Sequence, residues 1–288
     1  MVNKATKNFL KPTISLETKI SKDVFMLFLA LNKAGYKEEN NENGMHQARK
    51  LAKTLSKNND LYETNTYFKK LLKKVDPWYL MREILKKEKM SGKNKTPAYY
   101  LISNLKKFSK EVSAQKLWKL LKPYYYKESK KLAPIFEKET RRIIKFINGS
   151  VPKLNRIILI PNLLDAFWRG YGIKIKDVGY IVVGPGSEKN NAELIRHELL
   201  HILTPRYNIP TRLLLTKDHH RAIKFGYIGK KILRGEYTVL AINLIYESKV
   251  LKKNIKKNII REKRSFPHIY EVIKIVEKTI EKERGRLW

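Results

Sequence analysis

The stretch His197-Glu198-Leu199-Leu200-His201 decides how the second half of this chain reads. Two imidazoles four residues apart on a helix project from one face about one turn apart, within reach of a single tetrahedral zinc ion. Glu198 then stands beside the metal rather than on it, where its carboxylate can take a proton from water attacking a polarised carbonyl. Only six histidines occur in 288 residues, so the pairing is not a product of abundance. The plainer alternative is an amphipathic helix with two incidental surface histidines. Against it, Leu194, Ile195, Leu199, Leu200, Ile202 and Leu203 are apolar round most of the circumference. Unpaired polar groups set among them would cost free energy that a metal offsets. Asn190 as N-cap, Glu193 at the capping-box position and the stop before Pro205 predict a helix from Asn190 to Thr204.

A catalytic zinc takes three protein ligands and keeps one position for water. The long metzincin continuation is missing, because Thr204 stands at its glycine position and Tyr207 at its third histidine. Downstream candidates are His219, His220, Glu236 and Glu247. Glu236 leads, since it opens the segment Tyr237 to Tyr246, which holds no charged residue, and a carboxylate at the front of a buried helix needs a partner. The competing reading of Glu236 is a helix-start acid favoured by the macrodipole. Glu247 points roughly the same way but lies about 16 Å further along the axis, where it would support a ligand from behind or face solvent. Lys217-Asp218-His219-His220 reads as an exposed cap of a short helix through Phe225. One of its histidines could instead supply a ligand or stabilise an oxyanion, a role also open to Tyr227, Tyr237 and Tyr246.

His197, Glu198 and His201 followed by Glu236 on a separate helix resemble the gluzincin arrangement of zinc metallopeptidases, over residues 197 to 247. Within that class, Glu236 to Ile242, Arg156 to Pro161 and Gly179 to Pro185 are similar to an uncharacterised family of prokaryotic zincin-like peptidases, with a weaker likeness at Leu29 to Tyr36. The resemblance implies a zinc-dependent peptidase in which His197, His201 and Glu236 hold Zn2+ and Glu198 is the general base. One departure stands out: thermolysin-like members carry an acid on the turn after the ligand Glu, and this chain has Leu240 there.

Cysteine is absent, so disulfides and thiolate ligands are excluded and a metal must rest on nitrogen and oxygen. No run reaches the 18 or so apolar residues of a membrane span, and Asp23 to Ala30 is too short and too late for a signal sequence, so cytoplasmic residence is the expectation. The net charge of +35, from 62 basic against 27 acidic residues, invites nonspecific binding of nucleic acid or anionic surfaces. The basic residues are mostly Lys and are spread along the chain, which weakens a dedicated nucleic-acid role.

The first half reads as helical, with lysines alternating at helical spacing over Lys22 to Lys33, His46 to Lys57, Leu61 to Lys74, Trp78 to Lys89, Ala98 to Lys110, Ser113 to Leu121 and Ser129 to Asn148. Breaks are expected at 37–44, at 90–96 and at Lys122-Pro123, and a turn or hinge at 148–152. Arg156 to Ile160 and Asp177 to Val183 read as strands. The second, by likeness to zincins, is the edge above the metal cleft, where an extended peptide could add as a strand; its plainer reading is an internal strand. Pro267 to Trp288 reads as an amphipathic helix. The expectation is therefore an α+β, mainly helical chain: a helical N-terminal region over 1–150, then a zincin-like catalytic domain over 151–288 with a small sheet and the motif helix. Two other functions remain open: a polyanion- or nucleic-acid-binding protein on a zincin scaffold, and a DNA-associated protease.

Overall fold

Two short runs rich in β-branched residues, Arg156–Pro161 and Val178–Val183, alternate nothing polar with their apolar side chains, the pattern of strands covered on both faces. In the computed structural model, which describes residues 14–36, 45–55, 62–86, 97–147, 153–204, 208–215, 218–220 and 230–285, they lie at the centre of a four-stranded sheet. Its strands are β1 (Ser15–Thr18), β2 (Arg156–Pro161), β3 (Gly170–Ile175) and β4 (Val178–Val183), in the order β1-β2-β4-β3. β1 and β4 run parallel to β2, and β3 is antiparallel to β4. The expected breaks at 37–44 and 90–96, the turn at 148–152 and Tyr227 lie outside the described residues.

The helices are α1 (Lys22–Lys33), α2 (Gln47–Leu55), α3 (Tyr62–Leu72), α4 (Pro77–Lys86), α5 (Pro97–Glu111), α6 (Ala114–Ile147), α7 (Glu188–Leu203), α8 (Lys230–Lys249), α9 (Lys256–Lys263) and α10 (Ile269–Gly285). The chain is thus mainly helical with a small mixed sheet. Among the described residues no helix is long and apolar enough to cross a membrane.

Period-two alternation divides the sheet between two cores. Ile158, Ile160, Tyr171, Ile173, Tyr180 and Val182 face a cluster built round α1, whose residues Val24 to Asn32 are all buried. Ile157, Leu159, Ile181 and Val183 face a second cluster with α7, α8 and α10. α6 joins both, through Leu117, Leu121 and Tyr125 in the first and Leu132, Phe136 and Ile143 in the second. The first half also supplies the sheet's far edge, since β1 pairs with β2 in the register Ser15↔Arg156 to Thr18↔Leu159.

Several sequence expectations change here. The segments on either side of Lys122-Pro123 form one helix with Pro123 and Pro134 inside it. Both prolines are exposed, and the buried residues flanking them outweigh a helix-interior proline's cost of about 3 kcal/mol. Asp177 to Val183 is an internal strand, not the edge. The edge is β3, which the two glycines in Gly-Tyr-Gly-Ile-Lys-Ile had disguised. α7 starts earlier than Asn190: Ser187 is its N-cap, accepting the Asn190 backbone N–H at 3.3 Å.

Three helices are locked together by Arg196 of α7, which is 2% exposed. Its Nε donates to Asn243 Oδ1 at 2.6 Å, one terminal nitrogen to Glu139 Oε2 at 3.0 Å and the other to Glu247 Oε1 at 3.1 Å. Glu247 also accepts from Lys253 and Asn258, so it is a buried structural anion on the face of α7 away from the histidines. Glu247→Ala would leave the guanidinium short of a counter-charge and cost about 3–5 kcal/mol, read as a lowered urea midpoint. Arg141→Ala, which removes an exposed pair with Glu137, would shift stability by less than about 1 kcal/mol.

Candidate metal centre

α7 presents His197 and His201 on one face, and α8 crosses it so that Glu236 lies opposite both. Four potential donor atoms lie close together: His197 Nε2 to His201 Nε2 is 3.2 Å, His201 Nε2 to Glu236 Oε1 is 3.3 Å and His197 Nε2 to Glu236 Oε2 is 3.6 Å, and one ligand atom from each residue lies within 4.8 Å of the others. A tetrahedron with metal bonds of about 2.0–2.1 Å has edges of roughly 3.3–3.4 Å, which is close to each of these separations. Their side chains are 24%, 22% and 13% exposed, which leaves an open approach from solvent. Two imidazoles and one carboxylate are a donor set suited to zinc. Among the described residues this is the group of three or more potential ligands that could hold a metal.

Glu236 does not open its helix as the sequence suggested. It lies at the seventh described position of α8, nearly two turns in, so the dipole of a helix start does not account for it. The next residue, Tyr237, is fully buried and fixes that turn. His219 Nδ1 donates to the Leu215 carbonyl, and its Nε2 shares a hydrogen bond of 2.9 Å with the Tyr237 hydroxyl, which also accepts the His268 backbone N–H at 3.1 Å. The Tyr237 hydroxyl is thus engaged away from the histidine pair, and burial raises its pKa. His219 is 1% exposed and belongs to this buried set rather than to an exposed cap, whereas His220 is exposed. Tyr246 lies under the Arg196 guanidinium, with the cation 5.2 Å from its ring centroid. Neither tyrosine is placed as an oxyanion donor.

Glu198 is 5% exposed and is held against β3. A Cβ on Gly170 would stand 2.8 Å from Glu198 Oε1, and one on Gly172 would stand 2.5 Å from Glu198 O and 2.9 Å from His201 Cβ. Only glycine permits that approach. The hairpin register then fixes which backbone groups face outward. Gly184 N–H donates to Arg169 O, and Asn162 N–H donates to Val183 O from the β2 side, both at 2.7 Å. The Arg169 carbonyl and the backbone of Tyr171, Ile173 and Ile175 therefore face inward to β4, while the N–H and C=O of Gly170, Gly172 and Lys174 point to the outer side of the edge strand.

Two charged residues absent from the sequence expectation bear on the centre. Arg169, at the head of β3, acts on Glu236, and Glu262 of α9 acts on His197. Burial alone would push the Glu236 carboxyl up, but the charges of His201, His197 and Arg169 and the His197 hydrogen bond bring it below its ordinary value. For His197 burial works downward and is outweighed by the Glu236 hydrogen bond and the charges of Glu198, Glu236 and Glu262, leaving it raised to about 9. Neither residue had a sequence signal, since each lies in a segment whose packing against the motif helix is purely tertiary. No family model matches the chain, and no curated protein or solved structure matches it either.

The protonated His197 stabilises the metal-free fold fully below its unfolded value of 6.5, and that contribution is lost as pH rises through about 9. Ionised Glu236 contributes above its unfolded value of 4.5 and loses its contribution as pH falls through the lowered folded value. A metal takes the neutral imidazole, so its binding releases a proton below about pH 9 and tightens as pH rises. Melting curves from pH 6 to 9 with chelator and with zinc should therefore separate progressively; a constant gap would contradict the His197 assignment.

Proposed function

We propose that this chain is a zinc-dependent metallopeptidase of the gluzincin type. The observation that carries the reading is the spacing of His197 Nε2, His201 Nε2 and Glu236 Oε1/Oε2 at tetrahedral-edge distances, with the Glu198 carboxylate one residue from His197 on the same helix. When bound, zinc supplies a Lewis acid that polarises the scissile carbonyl and brings water's pKa toward neutrality. His197, His201 and Glu236 hold it. Glu198, buried against the Gly170 backbone with little freedom to turn, receives a proton from the attacking water and returns it to the departing amine. The outward N–H and C=O of Gly170 give an extended peptide a place to pair, directly beside Glu198. Arg169 adds positive charge near Glu236.

Glu198→Gln should retain zinc near one per chain and lose roughly 10²–10⁴-fold in peptide hydrolysis. His201→Ala and Glu236→Ala should lose zinc, read by elemental analysis after gel filtration. Near-stoichiometric zinc in both of these variants would overturn the ligand assignment, and full hydrolysis by Glu198→Gln would overturn the general base.

The net charge of +35 favours a second reading, a polyanion- or nucleic-acid-binding protein on the same scaffold, or a DNA-associated protease. Salt-dependent nucleic-acid binding that Glu198→Gln leaves unchanged, with no peptide hydrolysis by the parent protein, is its expected signature. Cleavage stimulated by DNA would mark the combined function.

A further inference from the structure

We propose that Trp78 closes one end of the peptide-pairing edge and thereby directs the protein to bonds near the amino terminus of its substrates. The proposal rests on the peptidase reading and adds the substrate class. Of the outward groups on β3, the Gly172 carbonyl already accepts Trp78 Nε1–H at 3.2 Å. A peptide cannot pair through that oxygen while the indole is seated, and the ring itself stands where the next residues of an added strand would run.

The indole is held from several directions. Asp76 accepts the Trp78 backbone N–H at 2.7 Å at the start of α4. Leu80, Met81, Ile84 and Leu85 of the same helix are buried in the core that also takes Tyr171 and Ile173 of β3. The Arg82 guanidinium lies 5.5 Å from the centroid of the indole. The wall is therefore part of the packed fold.

Direction follows from the strand. Gly170 lies against Glu198 Oε1, and Gly172 lies one step further along β3, against His201. Antiparallel addition, the better-paired geometry, carries a substrate's amino-terminal side toward Lys174. That is the side on which Trp78 sits. A substrate then has room for only a short piece of chain before the bond that reaches Glu198, while its carboxyl-terminal side continues past Gly170.

The test uses the full-length, zinc-loaded protein and one long unstructured peptide, with products read by mass spectrometry. The parent protein should release fragments only from the amino-terminal end. Trp78→Ala should add internal cuts, and Trp78→Phe, which keeps a ring but removes the donor, should fall between and serves alone if Trp78→Ala does not fold. Without turnover, in a Glu198→Gln background, Trp78→Ala should tighten binding of the long peptide on the order of tenfold, and should leave a peptide too short to pass Gly172 unchanged. Internal cuts by the parent protein at the same bonds as Trp78→Ala would overturn the proposal and leave the peptidase reading in place. Absence of zinc-dependent cleavage by all three proteins would overturn both.

Discussion

The missing Cβ atoms of Gly170 and Gly172 set the distance between the edge of the sheet and the helix that carries His197, Glu198 and His201. A methyl group at Gly172 would meet the Glu198 carbonyl at 2.5 Å, and backbone does not yield as a long side chain does. The strand must therefore retreat or the helix must shift. Much else depends on this contact: it buries Glu198 and brings the outward backbone groups of β3 level with the histidines. A gap of even an ångström would forfeit much of the van der Waals contact between the strand and the helix.

The other side of the same helix is held by charge instead of by closeness. Arg196 is next in sequence to His197, so it projects about 100° round the helix from it, into carboxylates from α6 and α8 and the amide of Asn243. Because α8 also carries Glu236, the buried cation fixes the relative placement of the two helices that bring the ligand atoms together. A buried ion cluster is an expensive way to gain stability, and an apolar substitute of the same shape can equal it. What the cluster supplies is a fixed orientation, since hydrogen bonds to a planar guanidinium tolerate little rotation of α7 about its axis. Helix α7 is thus gripped on both sides, and its histidines have few ways to move apart.

The local features of this site were legible in the sequence and the long-range ones were not. The histidine pair and Glu198 follow from i, i+4 geometry, and Glu236 from the cost of a lone carboxylate ahead of an apolar run. Both are short-range arguments. Strand β3 escaped because glycines stand on either side of Tyr171, and they read as turn residues until the helix they must touch is known. β1 escaped because four residues, Ser15 to Thr18, make too short a pattern, and their partner lies about 140 residues away. Lys122-Pro123 signalled a break that tertiary packing overrides. Arg169 and Glu262 reach the centre only through loop and helix placement that no local period encodes.

The helical first half also does more than precede the centre. Asn32 of α1 donates to the Leu164 carbonyl at 2.8 Å and accepts from Arg49 of α2 at 2.7 Å, while Arg49 donates on to the Tyr36 carbonyl at 3.1 Å. Tyr36 in turn donates its hydroxyl to Asp165 at 2.6 Å, and Asp165 accepts the Ala166 N–H and the Asn162 amide. These buried groups pin the loop between β2 and β3, residues 162–169, which must end with Trp168 at a positive φ of 62° for the chain to enter the edge strand. A non-glycine residue holds that conformation only where its surroundings over-determine it. Trp168 donates its backbone N–H to the Pro185 carbonyl at 3.2 Å, and the loop before it is held by this polar chain, to which the first fifty residues contribute Asn32, Tyr36 and Arg49. The position of Arg169, and of the glycines that follow it, is consequently set from the N-terminal half: removing those helices would release the loop, and with it the strand on which the contact to Glu198 depends.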